Sequence, residues 1–319
     1  MQALTFNKQL AYQPDIAQPN LMVGEALIKL SVAGICATDL ELVQGYAGFS
    51  GVLGHEFVGV VEAVASDQDQ HWLKQRVVGS INIGCTHCNT CLNQGPEHCL
   101  HRKVLGIRHK DGVFADFFTL PTQNLFAIPE HVSDSAAVFT EPLAAALRVV
   151  EQIESIPAAP IAVLGPGRLG LLIGKVLALA GYQVVMLGRS TRSLTLPAEW
   201  QLATDLVQNV SDNSFACVVD ATGQSTGFEQ ALRIVSPQGT LILKSTFSTI
   251  EPIDLSKVVV AEINIIGSRC GPFAQALSLL AENKLPITSM IDGEYFLKEG
   301  LVAFDHAAQS GIRKILLRP

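Results

Sequence analysis

Four thiols, Cys85, Cys88, Cys91 and Cys99, stand in one run spelled CTHCNTCLNQGPEHC. Thiolates spaced this closely can wrap a single tetrahedral metal ion, and zinc is the usual occupant. Four sulfurs leave no coordination position open, so such a group is structural and staples a lobe that has little core of its own. His87 and His98 could compete as ligands, but four cysteines suffice, and both histidines read as surface residues. Upstream stand Cys36 and the triplet Gly54-His55-Glu56. A thiolate, an imidazole and a carboxylate suit a different kind of site, one that keeps a position open for water or a substrate oxygen.

A third group of residues points to a nucleotide. Gly165-Pro166-Gly167-Arg168-Leu169-Gly170 follows the apolar run Ile161–Leu164 and opens a helical pattern. In that context the glycines allow a tight turn and a close backbone approach to a pyrophosphate, and the helix N-terminus adds N–H donors. The next apolar run ends in Leu187-Gly188-Arg189-Ser190, with Arg192 close behind. A carboxylate at that point would bind the ribose 2′-hydroxyl of NAD. None is present, and Arg189 could pair with a 2′-phosphate, so NADP is expected over NAD. The alternative is that Arg189 and Arg192 are solvated charges and NAD is held by backbone contacts.

These groups need a scaffold, and the totals bound it. The chain has 319 residues, 48% hydrophobic and only 16% charged, enough for two domains with sizeable cores. Net charge is 22 − 29 = −7, which argues against a nucleic-acid partner. MQALTFNKQL lacks the basic and apolar regions of a secretory leader. The most apolar stretch, Ile161 to Leu187, contains Pro166, Arg168, Lys175 and several glycines, so it reads as strand, turn, helix and strand and not as a membrane span. Cys217 and Cys270 remain outside the metal-like contexts and read as packing residues. No disulfide framework is evident, and a cytoplasmic setting is the simplest expectation.

Up to about Pro129 the chain is rich in short alternating runs, EALIKLSV, EFVGVVEAV, RVVGSINI and DFFTLP, which predict short strands of a barrel-like domain. Ser133-Asp134 then caps an alanine-rich helix running to about Val150, and Pro157 and Pro160 punctuate the chain beyond it. A βαβ unit is expected over strand Ile161–Leu164, helix Arg168–Ala180 and strand Val184–Leu187. Further strands are expected at Ala216–Asp220, Thr240–Leu243, Asn264–Gly267 and Arg313–Leu317, with a helix at Pro272–Glu282.

The motifs Gly34-Ile35-Cys36-Ala37-Thr38-Asp39, Gly54-His55-Glu56-Phe57-Val58-Gly59, Glu141-Pro142-Leu143-Ala144 and Asp220-Ala221-Thr222-Gly223, taken with the cysteine run and the glycine loop, resemble the zinc-dependent medium-chain dehydrogenase/reductase superfamily over nearly the whole length. The resemblance implies an α/β protein in two parts. A GroES-like β-rich catalytic domain would span 1–130 and 266–319, with a zinc lobe at about 80–103, and a Rossmann doubly wound parallel-sheet nucleotide domain would span 131–265.

It implies two zinc ions per chain, one structural and one catalytic. Cys36 and His55 would be ligands of the catalytic ion. A carboxylate in the Glu141 context resembles the sorbitol and glucose dehydrogenase branch, and either Glu56 or Glu141 would complete the ligand set. Thr38 matches the family hydroxyl that takes the alcohol proton. Glu41 would pass that proton on or remain a solvated charge, and Asp39 reads as a residue that shapes the turn. Gly188, Ser190, Ala221 and Thr222 would line the cofactor. Arg269 would hold cofactor or active-site water, or form an ordinary ion pair. The activity implied is interconversion of an alcohol, polyol or sugar with its carbonyl by hydride transfer. Alternatives are an aldehyde, ketone or quinone reductase on the same fold, or a non-catalytic cofactor-binding protein. Relatives associate through the nucleotide domain, so a homodimer or homotetramer is expected, with no membrane partner.

Overall fold

The computed structural model describes residues 1–153, 159–246 and 255–319. Pro157, expected to punctuate the chain, lies outside them. The chain divides into two compact units, Met1–Glu141 with Phe273–Pro319, and Pro142–Pro272. Among the described residues, no helix is long and apolar enough to cross a membrane.

The first unit is built around a seven-stranded sheet. Its path runs Leu125–Ala127, Arg76–Gly79, Glu56–Val64, Glu25–Ile35, Lys314–Arg318 and Ile291–Phe296, and Phe117–Pro121 pairs with Glu25–Ile35 off that path. Strand Glu25–Ile35 is central, and its residues are nearly all buried rather than alternating, as expected where both faces are covered. The register sets one row across three strands: Leu316 pairs with Gly34, and Gly34 pairs with Glu56. The core includes Ile28, Leu30, Phe57, Phe114, Phe118 and Phe304. Phe57 and Phe118 meet edge to face at 4.7 Å, and Phe114 and Phe304 at 6.0 Å, an arrangement favoured by the ring quadrupoles. A small lobe carries strands Asn82–Ile83, Lys103–Leu105 and His109–Lys110, with the short helix Asn89–Asn93 between them in sequence.

The second unit is a six-stranded parallel sheet in the spatial order Ala203–Leu206, Val184–Gly188, Ile161–Leu164, Phe215–Asp220, Val235–Leu243 and Asn264–Gly267. This is the doubly wound order in which nucleotides bind beyond the carboxyl ends of the strands. Helix Arg168–Leu179 buries Leu171, Leu172, Ile173, Val176 and Leu177.

The helix expected from Ser133 to about Val150 is two helices, Asp134–Ala137 and Thr140–Ile153. The Thr140 hydroxyl donates to the Ala137 carbonyl at 2.6 Å and so satisfies a group that the helix end would orphan. Pro142 has no N–H to carry the ladder on to Val138. Strand Val235–Leu243 begins earlier than Thr240 because Val235 already pairs with Phe215. Strands Ala203–Leu206 and Ile291–Phe296 and helix Gly300–Ala307 were not anticipated.

Candidate metal centres and dinucleotide loop

Strand Glu25–Ile35 ends at Cys36, whose extended backbone (φ −98°, ψ 161°) caps helix Ala37–Val43. The Cys36 N–H donates to Asp39 Oδ2 at 2.8 Å, so Asp39 does shape the turn. It also does more: its other oxygen, Oδ1, lies 3.3 Å from His55 Nδ1, and both side chains are buried. The approach is that of an ion pair without hydrogen-bond geometry; a carboxylate on the Nδ1 side suits a ring that offers Nε2 to a metal. Burial disfavours charge on His55, but Asp39 and Cys36 outweigh it and hold the imidazole well above the ordinary histidine value. His55 itself follows Gly54, whose φ of +93° is a conformation that glycine adopts without strain.

Cys36, His55 and Glu56 form a group in which one ligand atom from each lies within 4.8 Å of the others. Glu56 Oε1 is buried and has no hydrogen-bond partner, a cost that a bound cation would remove. The donor set and the orphaned oxygen fit a divalent ion. Glu141, in the first turn of helix Thr140–Ile153, is half-buried and is not part of this group. Thr38 Oγ1 lies 3.9 Å from Cys36 Sγ, and Glu41 is half-buried on the same short helix.

The four cysteines of the lobe also converge, with all sulfurs within 4.8 Å of one another. Cys85 and Cys91 sulfurs are 3.9 Å apart and those of Cys88 and Cys99 3.8 Å. A tetrahedron with metal–sulfur bonds of about 2.3 Å has edges of about 3.8 Å, so the thiols sit where a zinc ion would hold them. None is disulfide-bonded. The His87 backbone N–H leads the interactions that bring the Cys85 thiol down to about 6, while burial pushes Cys91 up to about 12. His87 and His98 are exposed, as expected.

In the second unit, the turn after Ile161–Leu164 assigns each glycine a task. Gly165 takes φ +88°. A Cβ on Gly170 would strike the Gly165 carbonyl, so helix and turn touch only because it has none. Gly167 caps helix Arg168–Leu179 and faces open space, with no atom within 4 Å of where a Cβ would stand. That is the vacant approach a pyrophosphate requires. Pro166, Arg168 and Leu169 are half-buried along the same turn. Across it, the Ala221 N–H donates to the Leu164 carbonyl at 3.0 Å. Thr222 bonds Asp220 Oδ1 through its N–H at 2.9 Å and its hydroxyl at 2.7 Å, and burial raises the Asp220 carboxyl above its usual range. Strand Val184–Gly188 ends in exposed Arg189, Ser190 and Arg192, and the Ser190 hydroxyl accepts from the Ser193 N–H. Arg269 is exposed, and its carbonyl accepts from Lys244 Nζ at 2.7 Å. Lys244 Nζ also donates to the Ala145 carbonyl at 2.8 Å.

Sequence reasoning missed Lys244, Lys314 and the contact of Asp39 with His55. Lys314 left a legible sign: a lysine opening KILLR, where the next three residues are apolar, is a charge that burial would force to find a partner.

Residues 23–130 match the alcohol dehydrogenase GroES-like domain. The chain is 27% identical over 325 residues to D-arabitol-phosphate dehydrogenase of Enterococcus avium, covering 95% of this chain and 92% of that protein. It is 28% identical over 313 residues to sorbitol dehydrogenase of Halalkalibacterium halodurans strain C-125, covering 92% and 91%. A candidate zinc-binding dehydrogenase from Sinorhizobium meliloti 1021, solved bound to NADP, superposes with a TM-score of 0.89 at 25% identity, covering 100% and 99%.

Proposed function

Because the chain belongs to the medium-chain dehydrogenase/reductase superfamily, we propose that it is an NAD(P)-dependent oxidoreductase that interconverts an alcohol or polyol and the corresponding carbonyl. The observation that carries this reading is the buried Cys36–His55–Glu56 group with its orphaned Glu56 oxygen, in a chain that also has an open glycine turn for a nucleotide. Cys36, His55 and Glu56 would hold a zinc ion, with Glu141 outside the direct ligand set. Zinc at such a site supplies Lewis acidity toward a substrate oxygen, and a nicotinamide supplies the hydride chemistry.

The chain's own residues do the rest. Asp39 fixes the His55 ring through Nδ1. Thr38 presents a hydroxyl beside Cys36 and accepts the alcohol proton, and Glu41 relays it onward. Gly165, Gly167 and Gly170 let the backbone approach a pyrophosphate, and Arg189 pairs with a ribose 2′-phosphate, which favours NADP. Cys85, Cys88, Cys91 and Cys99 hold a second, structural zinc. Association as a homodimer or homotetramer is part of this reading; the edge strand Asn264–Gly267 and the nearby Val259 and Val260, 74% and 84% exposed, leave apolar surface in the second unit.

The test is cofactor reduction by the zinc-loaded protein across simple alcohols, polyols and polyol phosphates, with NADP and NAD in parallel. Polyol-dependent NADPH formation is the expected result. No turnover on any substrate, with two zinc ions per chain verified, would remove the dehydrogenase reading.

A further inference from the structure

Lys314 opens the strand Lys314–Arg318, in which Ile315, Leu316 and Leu317 are buried. Its side chain is only 3% exposed, and that of Glu56, 258 residues away, 1%. Nζ donates to Glu56 Oε2 and lies 5.3 Å from the Phe139 ring centroid. The sheet register explains how this pair forms. Leu316, Gly34 and Glu56 occupy one row across three strands. Gly34 has no side chain; a Cβ there would strike Glu56 Oε2 and stand 3.2 Å from Lys314 Cδ. The lysine therefore reaches Glu56 across the gap that Gly34 leaves.

A buried ion pair is expensive to desolvate and is weak evidence of a purely structural purpose, although removing one partner strands the other. Here the carboxylate is also a member of the Cys36–His55–Glu56 group. Its Oε2 is taken by Lys314, and its Oε1 is buried without a partner. We propose that Lys314 tunes the metal centre. It is the counter-charge that holds Glu56 Oε2 in the metal-free pocket, and it competes with a divalent ion for that carboxylate. Lys314 thereby sets how tightly the centre holds its metal. This inference rests on the metal reading of the Cys36–His55–Glu56 group.

The experiment is zinc binding by chelator competition on the full chain, with the Cys36→Ser variant identifying which of the two binding steps belongs to this group. Lys314→Met should bind zinc at this site about tenfold more tightly, because the charge that competes with the ion is gone and couplings of that size are ordinary. Its metal-free form should melt at a lower temperature than the native metal-free protein. Lys314→Arg, which keeps the charge, should stay within about threefold of the native affinity. Lys314→Met combined with Glu56→Gln should recover the metal-free melting temperature without tight binding. If Lys314→Met does not fold, Lys314→Gln replaces it with the same tenfold expectation. Unchanged or weaker zinc binding in the charge-removed variant would overturn the proposal and leave the dehydrogenase reading intact. Native protein that binds zinc only at the four-cysteine site would overturn both.

Discussion

Asp39 divides its two oxygens between the backbone of one candidate ligand and the ring of another, Cys36 N–H and His55 Nδ1. Asp39→Asn retains an acceptor for the turn but removes the charge beside the ring. Zinc affinity at the Cys36–His55–Glu56 group should fall about 10- to 100-fold, read by chelator competition, while the four-cysteine site keeps its affinity. An unchanged affinity would mean that the 3.3 Å contact orients nothing. At the other end of the chemistry, exposed Arg189 follows strand Val184–Gly188 where a carboxylate would serve NAD. Arg189→Asp should lower the NADP-over-NAD ratio of kcat/KM by at least about tenfold; a ratio that stays put would assign cofactor choice elsewhere. That the four cysteines converge, and Cys36 with His55, was legible in the sequence because metal chemistry admits few residue types. Which of Glu56 and Glu141 lies with Cys36 and His55 was not, because both are carboxylates and only the strand register carries Glu56 to the group.

Among elements, the four-cysteine lobe and the turn before His55 make opposite demands. The lobe has little else to hold it, so its geometry depends on the sulfurs. Cys91→Ser should lose one zinc per chain and several degrees of melting temperature; a fully heat-stable variant with one metal would show the lobe to be self-sufficient. The Gly54 turn depends on backbone alone. A Cβ at Gly54 would meet the Phe114 ring, within 2.7 Å of its Cγ, in a φ +93° conformation that already strains other residues. Gly54→Ala should therefore displace His55 and weaken zinc at the Cys36–His55–Glu56 group by about tenfold or more, with the lobe metal retained. The βαβ elements were readable from their apolar runs and the glycine turn. Strand Ala203–Leu206 was not, because it lies at the sheet edge with Ala203 and Asp205 exposed and lacks an apolar signature. The break before Thr140 could have been read from Pro142, whose missing N–H interrupts the ladder that the alanine-rich pattern suggested.

At the scale of the molecule, both candidate metal groups belong to the unit Met1–Glu141 with Phe273–Pro319, and the glycine turn belongs to Pro142–Pro272. The chain has two tryptophans, Trp72 in the first unit and the buried Trp200 in the second. Each can therefore report one unit, using Trp200→Phe and Trp72→Phe variants in denaturant. Stripping metal with a chelator should shift the Trp72 transition to lower denaturant and leave the Trp200 transition in place, because ligands stabilise only the unit that binds them. Equal shifts in both would show that the units unfold as one.

Strand Lys314–Arg318 is an inner strand of the first unit's sheet, one from its edge, paired on one side with Glu25–Ile35 and on the other with the edge strand Ile291–Phe296. A growing polypeptide thus has Cys36, His55 and Glu56 in hand long before it has Lys314. The four lobe cysteines, close in sequence, and the 142–272 unit, continuous in sequence, have no such wait. On the two-zinc reading, the lobe ion can therefore be held early in synthesis, whereas the Cys36–His55–Glu56 group meets its competing charge only later, when strand Lys314–Arg318 pairs with Glu25–Ile35.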